Sequence, residues 1–187
     1  SLTKILVSVP LIIKEFETNN LNLNTSLGEL FPDFELFDKK DLKIDEILSH
    51  NGRLTPWIPF YKETLDSVSN KQLKQHYSNE KNKNFSIEVR KGLFMRDWND
   101  TIFKRIINSP LLEKKEYKYS DLPYYFIKKY LEEKYYSSIE YLINNYIFSK
   151  IGANTLSYNP HFNKDVNIIV PSENDNYFRN GILKGFV

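Results

Sequence analysis

The sequence contains no cysteine and only 3 histidines, and these absences exclude several kinds of site. Without cysteine, neither a disulfide framework nor a thiolate-ligated zinc site can form. His50, His76 and His161 stand far apart in the chain, so the His-x-x-x-His spacing of many metalloenzymes is missing. We therefore expect no metal site and no cofactor. His50 precedes Asn51-Gly52 and is expected to hold a turn through hydrogen bonds.

Long apolar runs and an excess of one charge are also absent. No run of about 18 apolar residues occurs, so the sequence predicts no membrane span in this segment. Its start lacks the basic, apolar and small-residue pattern of a signal peptide, and any export signal is expected to lie upstream. The 26 Lys and Arg residues nearly cancel the 24 Asp and Glu residues, which leaves a net charge of +2. A charge that small predicts no nucleic-acid partner.

Apolar residues are plentiful and follow helical spacing. Of the 187 residues, 41% are hydrophobic and 15% aromatic, enough for one globular domain or a large part of one. We expect a mainly helical structure with little strand, whose core comes from residues 5–13, 102–107, 122–131 and 139–148. The first of these helices should be buried, and Pro10 should kink it without dividing it. The polar residues 67–84 are the weakest region for order.

The chain opens with Ser1-Leu-Thr-Lys4, at the start of the first predicted helix. Residues three apart lie on one face of a helix, so the Lys4 amine could reach the Ser1 hydroxyl. The helix N-terminus would favour negative charge developing on that oxygen. The plain alternative is a capping serine followed by a surface lysine.

Further motifs follow in order along the chain. Tyr119-Ser120-Asp121 precedes the predicted helix at Leu122, and Leu48-Ser-His-Asn-Gly-Arg-Leu54 lies between it and the start. Downstream comes Tyr141-Leu-Ile-Asn-Asn-Tyr-Ile-Phe-Ser-Lys-Ile-Gly-Ala-Asn-Thr155. Together with Ser-x-x-Lys, this series resembles the serine β-lactamase and penicillin-binding-protein family, in particular its class C β-lactamase and esterase branch. The resemblance runs from residue 1 to about residue 160.

The resemblance implies a fold and a chemistry. Residues 1–187 would be the helical part of an α+β domain of the β-lactamase/transpeptidase type, truncated at both ends and without its flanking sheet strands. Ser1 would be the nucleophile, Lys4 the base and Tyr119 a proton relay, acting on a small-molecule or peptide acyl substrate. As a base, Lys4 would need a pKa lowered toward neutrality. Periplasm or cell envelope would be the location.

Two departures from the family pattern bear on activity. Asp121 stands where the family has asparagine, and an ionised aspartate only accepts hydrogen bonds and would hold Lys4 in its charged form. Three roles are open for Asp121: orienting Lys4, binding a cationic group of the substrate, or capping the helix that follows. The third family motif is missing, since Lys184-Gly185 lacks its middle residue. The segment as given is therefore expected to be inactive.

Loop aromatics and the tail suggest a subgroup. Trp57 and Tyr61 could stack on a sugar ring near the cleft and so bind substrate, although loop aromatics are more often buried anchors. Residues 57–61 and 169–179 resemble Bacteroidetes-type proteins in which such a domain follows a glycoside hydrolase family three domain, a β-N-acetylglucosaminidase. The alternative function is a non-catalytic module that binds cell-wall fragments or supports that linked glycosidase. A helical interaction module is a third possibility.

Overall fold

The structure, a computed structural model, describes residues 2–162 and 164–186. Of the residues, 39% are in helices and 11% in strands, so the expected α+β structure with more helix than strand is confirmed. The chain divides into two compact units, each built from two stretches of sequence. The first unit takes in the chain up to Ile58 together with Thr101–Leu156, and the second takes in Pro59–Asp100 together with the chain from Ser157 onward.

The first unit begins with one continuous helical run that contains a proline. A π-helical turn, Lys4–Ser8, leads directly into helix α1, Val9–Glu17. The Val9 amide donates to the carbonyl of Lys4, five residues back. Pro10 has no amide hydrogen, and its ring would crowd the carbonyl four residues earlier in a regular helix. The wider π turn just before Pro10 accommodates the ring, and the helix is not divided, as the sequence predicts.

Two consecutive helices form the other main layer of this unit. Helix α5, Pro123–Tyr135, ends at Tyr136 in the left-handed conformation with φ 48°. Helix α6, Ile139–Ile143, starts at Ser138, whose hydroxyl accepts from the Tyr141 amide, and continues as a π turn, Asn144–Phe148. Helix α5 contacts both α6 and the π turn that precedes α1.

Three further helices contribute to the first unit. They are α2, Leu27–Leu30, α3, Ile44–Leu48, and α4, Asn99–Asn108, of which the part from Thr101 belongs to this unit. A 3-10 turn, Phe37–Lys39, lies between α2 and α3. The core of this unit consists of apolar residues that are no more than 2% exposed: Leu11, Leu27, Phe31, Leu36, Ile44, Ile47, Ile106, Leu122, Phe126, Ile127, Leu131, Leu142 and Ile143. Glu15, Lys39 and Ser120 are polar residues that are equally buried.

One expectation about the first helix is wrong in part. Only one side of it is buried, the side that carries Val7, Leu11 and Ile12. The opposite side leaves Leu2 74%, Ile5 68% and Ile13 49% exposed. A helix that is apolar around its whole circumference buries only as much as its neighbours can cover.

The charged core residues of the first unit are fully hydrogen-bonded. The Glu15 carboxylate, 1% exposed, lies 2.6 Å from Lys134 Nζ and accepts from the Tyr130 and Tyr135 hydroxyls. The Lys39 ammonium, 0% exposed, donates to the Asp38 carboxylate and to backbone carbonyls at the end of α4. Buried charges need such partners, because leaving one unpaired costs several kcal/mol.

The second unit contains two small antiparallel sheets. Strands β1, Tyr77–Ser78, β2, Ile87–Arg90, and β3, Leu93–Met95, form a three-stranded sheet in the order β1-β3-β2. Strands β4, Glu173–Asp175, and β5, Gly181–Leu183, pair with each other. Three 3-10 turns accompany them, at Phe60–Thr64, Pro160–Phe162 and Val166–Ile168.

The second unit contains an aromatic cluster in addition to the buried leucines Leu65, Leu93 and Leu183. The ring of Phe178 stacks on Tyr61 with centroids 5.4 Å apart and lies 6.4 Å from the ring of Tyr77. The buried Tyr77 hydroxyl is 2.6 Å from Thr64 Oγ1. Asp175, 1% exposed, accepts from the amides of Tyr177 and Phe178 and pairs with the Arg179 guanidinium at 2.5 Å.

In the part of the chain that the structure describes, no helix is long and apolar enough to cross a membrane.

Candidate functional site

The start of the first helical run meets the loop before α5. There the Lys4 ammonium lies 2.6 Å from Oδ1 of Asp121. The Tyr119 hydroxyl points to the same carboxylate oxygen at 3.5 Å and also interacts with the Lys4 ammonium. Lys4 and the Tyr119–Asp121 loop, which are far apart in the sequence, therefore share one polar cluster in the first unit. Ser1, the predicted nucleophile, lies outside the described residues.

Two phenol rings flank the Lys4 ammonium. Its Nζ lies 5.9 Å from the ring centroid of Tyr119 and 5.0 Å from that of Tyr124, in the first turn of α5. A cation at this distance from an aromatic face is attracted to the electron-rich ring. The Lys4 side chain is only 15% exposed, whereas Asp121 is 46% exposed. The cation is thus held inside the cluster, and the carboxylate is open to solvent.

Backbone hydrogen bonds fix the loop that carries Tyr119. The Ser120 hydroxyl donates to the carbonyl of Thr55 at 2.6 Å and accepts from the Leu122 amide at 3.2 Å. The Asp121 amide donates to the carbonyl of Pro56 at 3.0 Å. Ser120 is 1% exposed, so these bonds are shielded from water. The motif residue between Tyr119 and Asp121 therefore anchors the loop, while its neighbours face the cluster.

His50 is a member of this site that the sequence did not identify as one. Its ring lies 4.6 Å from the ring of Tyr119, and its Nδ1 accepts from the Ser120 amide at 3.3 Å. Its carbonyl accepts from the Lys118 amide at 2.9 Å. His50 was expected to hold the turn at Asn51-Gly52, whereas these two hydrogen bonds reach the Tyr119 loop. The signal was present in the Leu48–Leu54 motif, which contains His50.

The charge state of Lys4 differs from the one that a basic amine requires. Burial alone would lower the pKa of Lys4, but the hydrogen bond and charge of Asp121, followed by those of Tyr119, outweigh it and raise the pKa. The expected shift toward neutrality is therefore wrong. The expectation that Asp121 holds Lys4 in its charged form is confirmed, because the carboxylate stabilises the ammonium directly.

Burial and the charges of Lys4 and Asp121 also shift the pKa values of the residues around the cluster. Burial, together with the nearby Lys4 ammonium, lowers the pKa of His50, and the charge of Asp121 opposes this only in part. Burial raises the pKa values of Tyr124 and Tyr125. At neutral pH the cluster thus contains a lysine ammonium and a neutral imidazole.

The contacts of Asp121 exclude one of the three roles expected for its side chain. Leu122 occupies the cap position of α5, and no side chain accepts a capping hydrogen bond there. The Tyr124 amide donates instead to the backbone carbonyl of Asp121. Helix capping by the Asp121 side chain, one of the three expected roles, is therefore wrong. The carboxylate forms the ion pair with Lys4.

The predicted aromatic residues lie in different units. Trp57 belongs to the first unit, and 56% of it is exposed. Tyr61 belongs to the second, where its ring stacks on Phe178. The packing of Tyr61 corresponds to the anchor role that loop aromatics usually take. Among the described residues, no group of three or more His, Cys, Asp or Glu side chains could hold a metal ion.

Comparison with known proteins adds one distant structural likeness. No protein-family model matches the chain. No curated protein matches it either. A solved structure of a putative beta-lactamase from Bacteroides dorei DSM 17855 is similar to it, with a TM-score of 0.45 and 14% sequence identity. The similarity covers 71% of this chain and 32% of that one, so the chain spans about a third of the length of the protein it resembles. At this distance the likeness assigns no activity.

Proposed function

We propose that this chain carries the nucleophile and proton-transfer groups of a serine acyl hydrolase. Ser1 is the nucleophile, and the substrate is an amide or ester related to cell-wall peptides or β-lactams. The observation that supports this most is the cluster of Lys4 with Tyr119 and Asp121, because Lys4 follows Ser1 by three positions. A serine, an amine and a phenol are the groups that acyl transfer through a serine ester needs.

The proposed reaction has two stages. The Ser1 oxygen attacks the substrate carbonyl carbon, and the Ser1 hydroxyl proton passes to a base in the cluster. The tetrahedral intermediate then breaks its bond to the leaving group, which takes a proton through Tyr119, and an ester on Ser1 remains. Water attacks that ester in the second stage, releases the acid and returns the proton to Ser1.

The protonation state of Lys4 controls the first stage. Only the free amine can take the proton of Ser1, and the pKa of Lys4 is raised by Asp121. At neutral pH most molecules would therefore hold the ammonium, and acylation should become faster as the pH rises. In this proposal Asp121 sets the pH range of the reaction through its ion pair with Lys4.

Substrate contacts are also proposed. Trp57, with 56% of its surface exposed, could stack on a sugar ring. Tyr61, which packs on Phe178 in the second unit, is not proposed as a substrate contact. The Asp121 carboxylate, 46% exposed on its solvent side, could receive a cationic group of the substrate. A cationic substrate would compete with Lys4 for the same oxygen atoms.

A non-catalytic module is the second candidate, and one observation favours it. The Lys4 ammonium is already neutralised by Asp121 at 2.6 Å, which is the arrangement of a structural ion pair. Such a module would bind cell-wall fragments or support a covalently linked glycosidase domain without forming an ester on Ser1.

Covalent labelling separates the two candidates. The whole natural protein is treated with a fluorophosphonate or β-lactam probe between neutral and alkaline pH, and the labelled peptide is identified by mass spectrometry. We expect label on Ser1, more label at higher pH, and none in Ser1→Ala. Lys4→Ala should also lose the label, whereas the matched surface variant Lys128→Ala should keep it. Absence of label over the whole pH range, in the wild type and in Asp121→Asn, would support the non-catalytic module.

A further inference from the structure

The residue that ends helix α3 is unusual for its position. His50 follows the cap residue Ser49 and has φ 59°, in the left-handed region. This position after a helix is normally taken by glycine or asparagine, because a larger side chain is strained there. Tyr136 ends α5 in the same conformation, with φ 48°, so the contacts of the side chain are what distinguish His50. Strained residues that persist in a structure often serve a function.

The contacts of His50 all lead to the loop that carries Tyr119. The Ser120 amide donates to Nδ1, the Lys118 amide donates to the carbonyl, and the Tyr119 ring lies against the imidazole at 4.6 Å. His50 thus contacts the residue on each side of Tyr119 and Tyr119 itself. Arg53, also left-handed with φ 57°, supports the same segment further upstream, since its carbonyl accepts from the Leu112 amide.

We propose that His50 is the positioning residue of the Lys4–Tyr119–Asp121 cluster, and that it works only as a neutral imidazole. This inference rests on the proposed function for its catalytic consequence, but not for its structural part. A neutral imidazole with a free lone pair on Nδ1 carries its proton on Nε2. That tautomer accepts the Ser120 amide and holds Tyr119 beside Lys4.

Protonation of His50 removes the contact. An imidazolium donates from both nitrogens, so Nδ1 can no longer accept from the Ser120 amide. The new positive charge would also lie near the Lys4 ammonium, and both effects loosen the Tyr119 loop as the pH falls. The titratable groups that face His50 are Lys4 from the first helical run, Tyr117, Tyr119 and Asp121 from the loop, and Tyr124 from α5. Burial and the charge of Lys4 lower the pKa of His50 and so favour the neutral imidazole, whereas the charge of Asp121 acts in the opposite direction.

Two substitutions isolate the side-chain acceptor from the backbone conformation. Both His50→Gly and His50→Asn suit a left-handed residue, so neither should weaken the end of α3. Glycine removes the acceptor, whereas the asparagine side-chain oxygen can accept from the Ser120 amide and does not titrate. In the whole natural protein, we expect His50→Gly to reduce the rate of Ser1 labelling by about tenfold or more, since small displacements of reacting groups are costly. His50→Asn should restore most of that rate. It should keep the rise of labelling with pH that Lys4 sets, and it should remove only the additional loss that the wild type shows when His50 becomes protonated.

Measurements that need no activity decide the structural part. In the wild type at pH 8, 15N NMR of the His50 ring should show the proton on Nε2. Hydrogen exchange of the Ser120 amide should be slow in the wild type and in His50→Asn, and at least about tenfold faster in His50→Gly, because an amide without an acceptor exchanges more readily. A proton on Nδ1, or equal Ser120 protection in all three proteins, would overturn the proposal. If Ser1 takes no label in the wild type while the tautomer and exchange results hold, the acyl-hydrolase function fails and the positioning role of His50 stands.

Discussion

The Lys4 ammonium and the Asp121 carboxylate form an ion pair of 2.6 Å in which the cation is nearly buried and the anion is half exposed. The pair raises the pKa of Lys4 although burial acts in the opposite direction. The Lys4 ammonium therefore loses its proton and becomes a free amine only when the pH rises or when the charge of Asp121 is removed. This relationship makes Asp121 the residue through which the chemistry of the cluster can be changed most directly.

Removing the charge of Asp121 should activate the site at neutral pH. Asp121→Asn withdraws the interaction that raises the pKa of Lys4, so the fraction of free amine at a given pH increases. We expect Ser1 of the whole natural protein to be labelled faster at pH 7, and the pH profile of labelling to move to lower pH. Glu17→Gln, which removes a charge at the exposed end of α1, should leave the profile unchanged. An unchanged profile in Asp121→Asn would contradict the control by Asp121.

Glu15 should be required for the stability of the first unit. Glu15→Gln leaves the Lys134 ammonium without its carboxylate, and breaking a buried ion pair in this way costs about 3 kcal/mol. Urea denaturation followed by circular dichroism measures the loss. Glu17→Gln is again the exposed control and should cost much less. Equal stability of the two variants would show that the Glu15 cluster contributes little.

The same carboxylate predicts a pH dependence. Burial by itself would raise the pKa of Glu15, but the hydrogen bonds from Lys134 and Tyr135 and the charge of Lys134 lower it below the usual value of 4.5. A group with a lowered pKa in the folded state stabilises the fold above its unfolded pKa, and the contribution is lost as the pH falls through the folded pKa. The difference in melting temperature between the wild type and Glu15→Gln should therefore shrink below about pH 4.5.

Replacing Lys39 should destabilise the protein far more than replacing Lys40. Its ammonium donates to the Asp38 carboxylate and to the carbonyls of Ile107 and Ser109, where α4 ends. Lys39→Ala leaves the carbonyls of Ile107 and Ser109 without this donor and creates a cavity, at a cost of roughly 3 kcal/mol. Lys40→Ala, at an exposed position, is the control and should change stability little. Comparable urea midpoints for both variants would contradict the structural role of Lys39.

Two glycines of the second unit separate backbone strain from side-chain crowding. Gly92 and Gly185 have nearly equal φ values, +72° and +73°. A Cβ on Gly92 would meet nothing within 4 Å, whereas one on Gly185 would lie 2.7 Å from Cγ of Pro160. Gly92→Ala should cost about 1 kcal/mol for the left-handed backbone. Gly185→Ala should cost clearly more in the same urea titration, because the proline ring cannot move aside easily.

The sequence predicts the helices well because their signal is local. Apolar residues at helical spacing identify α4, α5 and α6, and Gly152 ends the last helical segment with φ +69°. The strands of the second unit were not predicted. They contain two to four residues each, and β2, Ile87–Arg90, is too short for alternation to be recognised. Their pairing depends on partners that local sequence does not define.

The sequence predicted three side chains of the candidate site, and it left the charge state of Lys4 open. The motifs pointed to Lys4, Tyr119 and Asp121, and these side chains do lie together. For the pKa of Lys4 the sequence supported two opposite expectations, a fall if Lys4 is the base and a rise if Asp121 is ionised beside it. Burial and the two hydrogen-bond partners act in opposite directions, and only the coordinates show which is larger. The contribution of His50 was missed for a similar reason, since it depends on an acceptor atom that meets the Ser120 amide in space.

The discontinuous second unit imposes an order on events at the ribosome. Its first stretch, Pro59–Asp100, is synthesised before the remaining part of the first unit, and its second stretch begins only at Ser157. At about 5–20 residues per second, the gap lasts on the order of several seconds. The first unit can close its core during that time. Tyr61 and Tyr77 must wait for Phe178 to emerge, so the nascent chain presents their aromatic surface to chaperones and to other chains in that interval.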